Sequence, residues 1–154
     1  MLWKAEEQQT NRAMKKQASI IIVVNDTTRR ETLKAFLAAK YDCKLAASAE
    51  EAIGILAFWN FEVLITDRDL PGLSSFALCQ FIQRKCPETA IIILSERISE
   101  WHRTLAEWLG VFECVGAPCD LASLSASIEK ALLRNPHKKG PEIITSAQSA
   151  YKVI

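Results

Sequence analysis

The sequence has little of what metal sites, disulfide frameworks and membrane spans require. Two histidines and five cysteines are present, and their spacing fits neither a zinc site nor a redox motif. No apolar run approaches the ~20 residues needed to cross a bilayer. Residues 1–7 lack the apolar centre of a signal peptide. We therefore expect no membrane partner, a cytoplasmic location, and cysteines that are reduced and packed as small apolar side chains.

The charge of the chain is small overall but unevenly distributed. The net charge is +1, yet residues 18–133 contain 11 basic against 15 acidic side chains, and the two flanks contain 8 basic against 3 acidic ones. Proteins that bind nucleic acids carry a clustered basic face. The acidic body therefore predicts no nucleic-acid partner, and the basic flanks are interpreted as solvated tails.

Five short apolar runs, rich in β-branched residues, indicate strands. Runs that are apolar throughout, instead of alternating with polar residues, are typical of strands buried on both faces of a parallel sheet. The predicted strands cover residues 20–24, 43–47, 61–66, 90–94 and 112–116.

Helical patterns lie between and after these runs. Thr28-x-x-Glu31 and Ser48-x-x-Glu51 have the form of capping boxes that open the first two helices. A third helix is predicted over 75–85, a fourth over 98–109 with Gly110 as its stop, and a fifth from Asp120. The residues expected to be buried on the first two helices are Leu33, Phe36, Leu37, Ala52, Ile53, Leu56 and Trp59.

The order of elements is (βα) repeated five times. Since crossovers between parallel strands are right-handed, this order predicts an α/β fold: a doubly wound parallel five-stranded sheet in a flavodoxin-like three-layer sandwich. We predict one domain over residues 19–134, an N-terminal extension over 1–18 and a C-terminal tail over 135–154.

Polar side chains follow three of the predicted strands. Asn25 and Asp26 come after the first strand, Asp67 ends the third, and Ser95 ends the fourth. In open parallel sheets the carboxyl ends of the strands meet at one edge, where ligands bind. Oxygen ligands suit Mg²⁺, and a carboxylate beside Mg²⁺ is a competent nucleophile for a phosphoryl group. The simpler alternatives are helix capping by Asp26 and a backbone-satisfied hydroxyl at Ser95.

These residues, in this order, resemble the pattern of response-regulator receiver domains. The acidic pair after the first strand is Asn25-Asp26, and Asp67 is followed four residues later by Pro71-Gly72. A hydroxyl, Ser95, ends the fourth strand, and the segment 110–120 aligns without gaps with the closing segment of the family. The resemblance extends from about residue 19 to residue 133.

The resemblance implies roles for individual residues. Asp67 would be the phosphoacceptor, and Asp26, Asp67 and the backbone carbonyl of Asp69 would ligate a weakly held Mg²⁺. Ser95 would be the hydroxyl that moves toward the phosphoryl group. The phosphoryl donor would be a histidine kinase or a phosphotransfer protein, so the chain would be a signalling domain and not an enzyme in the ordinary sense.

Three positions depart from the family pattern. The lysine expected just before Pro118 is Ala117, the first acid of the pair is Asn25, and the aromatic switch residue of the fifth strand is Cys114. One preorganised charge can contribute ~3–4 kcal/mol to transition-state stabilisation. The missing lysine therefore predicts inefficient phosphorylation.

Two alternatives to a phosphorylated receiver stay open at this stage. The same three departures favour a pseudo-receiver that binds proteins independently of phosphorylation. Asp67-Arg68-Asp69 also resembles the Asp-x-Asp strand end of haloacid-dehalogenase-type phosphatases, although that family places the motif on its first strand.

A protein partner or a second copy is expected at the fourth helix and the fifth strand and helix, the output face of receivers. Trp101 and Trp108 lie seven residues apart on the fourth helix and so share nearly one face. Packing of both indoles on the sheet is the simpler interpretation. The alternative is that one of them is partly exposed and binds a partner.

Overall fold

The computed structural model describes residues 17–96, 99–116 and 120–134. Within these ranges five strands alternate with five helices. The strands are β1 (Ser19–Val23), β2 (Asp42–Ala46), β3 (Val63–Asp67), β4 (Ala90–Ser95) and β5 (Glu113–Gly116). The helices are α1 (Thr27–Leu37), α2 (Ala49–Leu56), α3 (Ser75–Lys85), α4 (Glu100–Trp108) and α5 (Leu121–Leu133). Residues 1–16 of the predicted N-terminal extension (1–18) and the whole predicted tail (135–154) lie outside the described residues.

The five strands form one parallel sheet in the order β2-β1-β3-β4-β5. The chain moves from β1 to one edge at β2, then crosses back to β3 and continues to the other edge at β5. The order of strands therefore reverses between β1 and β3, which is the position where such folds leave a crevice at the carboxyl edge. The predicted (βα)5 doubly wound fold is confirmed.

The sheet is buried on both faces, as the continuous apolar runs predicted. Alternate residues of the central strands point to opposite faces because side chains in a strand alternate. Ile20, Ile22 and Ile65 pack with Leu33 and Leu37 of α1 and with α5 on one face. The other face packs against α2, α3 and α4 through a second set of buried side chains, including Ile21, Val23, Leu64, Ala52, Leu78 and Leu109.

The helix starts are fixed by side-chain caps. Ser48, Ser74 and Asp120 accept hydrogen bonds from the backbone N–H groups three residues on, at the starts of α2, α3 and α5. The cap at Ser48 is confirmed, and Glu51 Oε2 accepts from Ala47 N at 3.0 Å, one residue before the position that a capping box predicts. The capping box predicted at Thr28 is wrong, because α1 begins at Thr27 and its cap is the Asp26 carboxylate, which accepts from Arg29 N at 3.1 Å.

Two residues predicted to be buried are exposed. Phe36 is 41% exposed because it lies at the edge of the stripe formed by Leu33 and Leu37. Trp59 is 66% exposed because α2 ends at Leu56, so its side chain no longer follows the inward face of the helix. Gly110, with φ of 71°, ends α4 as predicted, since only glycine adopts this geometry without strain.

The cysteines of the described residues are free thiols. Cys79 is fully buried on α3, and burial raises the pKa of its thiol to about 12. Cys43, Cys86 and Cys114 are half-buried, and burial raises the pKa of each. These four thiols are unpaired and at least partly buried, as packing as small apolar side chains predicts, while Cys119 lies outside the described residues. None of the helices in the described ranges has the length and apolar character needed to cross a membrane.

Candidate functional site

Asp67 lies at the carboxyl end of the central strand. It is the last residue of β3, opposite Leu94 of β4, and its side chain is 11% exposed. The strand delivers it there because residues 63–66 are apolar or β-branched and fully buried. The side chain of Asp67 is therefore held at the opening of the crevice between β1 and β3.

A guanidinium group contacts both oxygens of the Asp67 carboxylate. Arg29 Nη1 donates to Asp67 Oδ2 at 3.2 Å, and Arg29 Nη2 donates to Asp67 Oδ1 at 2.9 Å. This is the two-bond geometry in which arginine binds carboxylates most strongly. The backbone N–H of the same residue donates to Asp26, so Arg29 connects the two predicted metal-binding acids.

The electrostatics of Asp67 are a balance between burial and charge. Burial raises the pKa of the Asp67 carboxyl, and the charges of Asp26 and Asp69 raise it further. The charge and hydrogen bonds of Arg29 lower this pKa, but the net direction is upward from the ordinary value of 3.8. Burial therefore outweighs the single cation that faces the carboxylate.

The amide of Asn25 has a contact that an aspartate could not make. Asn25 Nδ2 donates to the carbonyl of Ala47 at 3.2 Å, which connects the end of β1 to the loop after β2. Arg30 donates to the carbonyls of Val24 and Asn25 at 2.7 and 3.0 Å. Asn25 and Arg30 thus fix the backbone that presents Asp26.

The loop after Asp67 is held by three hydrogen bonds. Arg68 N donates to the carbonyl of Leu94 at 2.8 Å, and Ser75 Oγ donates to the carbonyl of Arg68 at 2.6 Å. Glu50 of α2 accepts from Leu73 N at 2.8 Å, a bond that lowers the pKa of Glu50. The turn itself needs Gly72, whose φ is 74°.

The other predicted site residues lie at or near the same edge. Ser95 is the last residue of β4 and is buried, one position beyond the partner of Asp67. The Asp69 side chain is 84% exposed and pairs with Arg68 Nη2 at 2.9 Å, as expected for an acid that points to solvent. Cys114 is half-buried on β5 opposite Ile93. Ala117 lies outside the described residues.

The predicted Mg²⁺ ligands have the right chemistry but are already engaged. Two carboxylates and one backbone carbonyl are oxygen donors that suit Mg²⁺. In this structure both oxygens of Asp67 accept hydrogen bonds from Arg29, and Asp26 Oδ1 caps α1. Among the described residues no cluster of three or more His, Cys, Asp or Glu side chains is placed to hold a metal ion. The ligand set therefore fits Mg²⁺ only after the guanidinium has left Asp67.

Arg29 was missed by the sequence analysis. It carries no motif, because arginines in the first turn of an amphipathic helix are usually solvent-exposed. A signal was nevertheless present: with Asp26 as the N-cap, Arg29 occupies the third helical position, directly above the cap. A long cation at that position reaches back toward the strand ends.

An apolar cavity of about 540 Å³ lies between α3 and α4. It is lined by Ser74, Phe76, Ala77, Gln80, Leu105, Trp108 and Leu109. The Trp108 side chain is half-buried, while the side chain of Trp101 lies outside the described residues. Trp108 is thus partly exposed, as one alternative expected, and binding of a partner through it stays a prediction.

The fold and the carboxylate at the end of its central strand define a signalling domain of the CheY-like type. The chain belongs to the response regulator receiver domain family, which it matches over residues 20–129. It is the receiver domain of a two-component response regulator. The Asp67–Asp69 pair consequently lies in a receiver, and not in a haloacid-dehalogenase-type phosphatase.

Curated relatives are similar along most of the chain. The chain is 33% identical to the response regulator protein PilR of Pseudomonas aeruginosa over 118 residues. The aligned region covers 75% of this chain and 26% of PilR. The chain is 25% identical over 130 residues to the DNA-binding transcriptional regulator NtrC of Salmonella typhimurium, covering 83% and 28%. The chain thus spans about a quarter of the length of these relatives.

Solved structures show the same fold. A response regulator receiver domain protein from Clostridium thermocellum is 28% identical, with a TM-score of 0.71 over 76% of this chain and 95% of that one. The response regulator TrrA from Thermotoga maritima, solved in complex with Mg²⁺-BeF, is 26% identical, with a TM-score of 0.67 over 74% and 98%. A CheY-like receiver from Methanospirillum hungatei, at 21% identity and a TM-score of 0.75 over 81% and 100%, shows the fold alone.

Membership of the family carries general properties. Receiver domains are phosphoacceptor signalling domains, they bind Mg²⁺ at the phosphorylation site, and they interact with histidine kinases or phosphotransfer proteins.

Proposed function

We propose that this chain, over residues 19–134, receives a phosphoryl group on Asp67. The observation that carries the proposal is the position of this carboxylate: it ends the central strand and lies at the opening of the crevice between β1 and β3. A phosphoryl donor could reach this carboxylate once the guanidinium of Arg29, whose side chain is 42% exposed, moves into water.

The chemistry at Asp67 is a transfer between two oxygens or from nitrogen to oxygen. A carboxylate oxygen of Asp67 forms a bond to phosphorus while the bond from phosphorus to the donor's leaving group breaks. The donor would be a phosphohistidine of a histidine kinase or of a phosphotransfer protein. Asp26, Asp67 and the carbonyl of Asp69 would hold Mg²⁺ weakly, and the bound ion would neutralise charge on the transferring group.

Ser95 is proposed as the hydroxyl that senses the phosphoryl group. It lies at the end of the strand next to β3, one residue beyond the pairing partner of Asp67. Ala117 supplies no charge to the phosphoryl oxygens. We therefore expect phosphorylation to be slow in comparison with a receiver that carries a lysine at this position.

Intact-mass measurement tests the proposal. The purified chain is incubated with Mg²⁺ and acetyl phosphate, and the mass is compared with that of Asp67→Asn and Asp69→Asn. We expect a gain of one phosphoryl group in the parent and in Asp69→Asn, and none in Asp67→Asn. A gain that persists in Asp67→Asn, or no gain under conditions that label a standard receiver, would refute the assignment.

A second function is favoured by one observation, the occupation of both Asp67 oxygens by Arg29. If this ion pair is permanent, the chain is a phosphorylation-independent interaction module. Asn25, Cys114 and Ala117 agree with this alternative. Its partner, or a second copy of the chain, would bind the face of α4, β5 and α5. Retention of partner binding by Asp67→Asn, with no labelling of the parent, is the result that would select it.

Charge and composition support the remaining expectations. The acidic excess over residues 18–133 supports a protein partner instead of a nucleic acid for this unit, and the chain is proposed to work in the cytoplasm.

A further inference from the structure

We propose that the guanidinium of Arg29 binds the Asp67 carboxylate at the atoms where a divalent ion would bind, and that Mg²⁺ must displace it. This inference rests on the proposed role of Asp67 as the phosphoacceptor. It adds a residue that competes with the metal and so sets how readily the site can be loaded.

The geometry at Asp67 carries the inference. A metal ion that binds this carboxylate must approach one of two oxygens, and each already accepts a hydrogen bond from Arg29, at 2.9 and 3.2 Å. The Asp67 side chain is 11% exposed, so little of it is left for a ligand that approaches from another direction. Metal and guanidinium are therefore alternatives at the same two atoms.

The position of Arg29 on α1 makes the contact a defined one. Its backbone N–H is bonded to Asp26 Oδ1, which fixes the residue at the start of the helix, directly next to the second predicted metal ligand. A Mg²⁺ ion held by Asp26 and Asp67 would share both acids with Arg29. Two cations that share the same carboxylates repel each other, which reinforces the competition.

The contact is also able to open. The Arg29 side chain is 42% exposed, so its guanidinium can move into water without breaking the core. A pair with one half-exposed member has moderate strength, because water and salt screen it. Competition at this strength weakens metal binding without abolishing it.

Magnesium titration of matched variants tests the inference. Affinity is measured by isothermal titration calorimetry on the parent, Arg29→Ala, Arg29→Lys and Lys34→Ala. Lys34→Ala removes the same charge from the same helix, but Lys34 is exposed and lies in the last turn of α1. Circular dichroism confirms that each variant is folded, and the side-chain ¹⁵Nε signal of Arg29 is followed in the parent.

We expect Arg29→Ala to bind Mg²⁺ about tenfold more tightly than the parent, which corresponds to ~1.4 kcal/mol. The Mg²⁺ affinity of Arg29→Lys should lie between those of the parent and Arg29→Ala, because lysine keeps the charge without the two-bond geometry. The Mg²⁺ affinity of Lys34→Ala should stay within about twofold of that of the parent. In the parent, the Arg29 ¹⁵Nε signal should shift as Mg²⁺ is added.

Three results would overturn the inference. One is equal affinity of the parent and Arg29→Ala. Another is an equal gain in affinity for Arg29→Ala and Lys34→Ala, which would indicate a general effect of charge. The third is a lack of measurable Mg²⁺ binding in every variant, because removal of Arg29 would then not make the site available to the ion. Labelling of Asp67 by acetyl phosphate is measured separately, so each of these results leaves the proposed function to its own test.

Discussion

The ion pair between Arg29 and Asp67 has a coupling energy that can be predicted from its surroundings. Exposed pairs contribute about 0–1 kcal/mol, whereas removal of one partner of a fully buried pair costs about 3–5 kcal/mol. Here the carboxylate is 11% exposed and the guanidinium 42% exposed, and two hydrogen bonds join them. We therefore expect a coupling of ~1–2 kcal/mol at pH 7.

A double-mutant cycle measures this coupling. The free energies of unfolding in urea are compared for the parent, Arg29→Ala, Asp67→Asn and the double variant, so that effects outside the pair cancel. The coupling requires an ionised Asp67. Because the pKa of Asp67 is raised, the coupling should disappear at a higher pH during acidification than it would for an exposed aspartate.

A coupling below ~0.3 kcal/mol at pH 7 would refute the reasoning, since this is the range in which independent sites add. A coupling of the expected size that persists when Asp67 is protonated would refute the assignment to an ion pair. It would indicate a packing effect of the two side chains instead.

Three further predictions concern pH, charge and packing. The pKa of Asp67 in the folded state lies above 3.8, so unfolding releases a proton between these two values. The parent should therefore lose stability relative to Asp67→Asn as the pH rises from 3.8 through the raised pKa. A difference in the free energy of urea unfolding that is constant with pH would contradict this. Asn25→Asp should tighten Mg²⁺ binding in calorimetry, and lower the melting temperature because the bond to Ala47 is lost; unchanged values would be contrary evidence. Ile65→Ala should cost ~2–5 kcal/mol in unfolding, since Ile65 is fully buried; a loss below ~1 kcal/mol would contradict the packing.

The fold was predictable from the sequence because the signal is redundant. Each apolar run is bounded by a cap or a helix stop, and five repeats of the same order favour a doubly wound parallel sheet. The strand bounds differ by one or two residues, as at β3, which begins at Val63 instead of residue 61. Boundaries shift because the last pairing of a parallel strand depends on its neighbours.

Burial at helix ends was less predictable. Trp59 follows the inward stripe of α2 only if the helix continues, and the helix ends at Leu56. Thr28 fits a capping box as well as Asp26 fits a single cap, and the choice depends on where β1 ends. The burial of Trp59 and the choice of cap for α1 depend on tertiary contacts, which the periodicity of the sequence does not specify.

The candidate site was predictable in its acids and not in its cation. Asp26 and Asp67 follow strands, so topology alone brings them to one edge. Arg29 reaches Asp67 across 38 positions of sequence through a long flexible side chain, and no spacing rule specifies such a contact. Asn25 was interpreted as the loss of a charge, and the structure adds its bond to the loop after β2.

The most direct test of the account is the binding of beryllofluoride, which mimics a phosphoryl group on a carboxylate, followed by ¹⁹F NMR in the presence of Mg²⁺. We expect one bound species in the parent, the same species at lower Mg²⁺ concentration in Arg29→Ala, and none in Asp67→Asn. Absence of the bound species in both the parent and Arg29→Ala, or its presence in Asp67→Asn, would contradict the central claim that Asp67 is the phosphoacceptor held by Arg29.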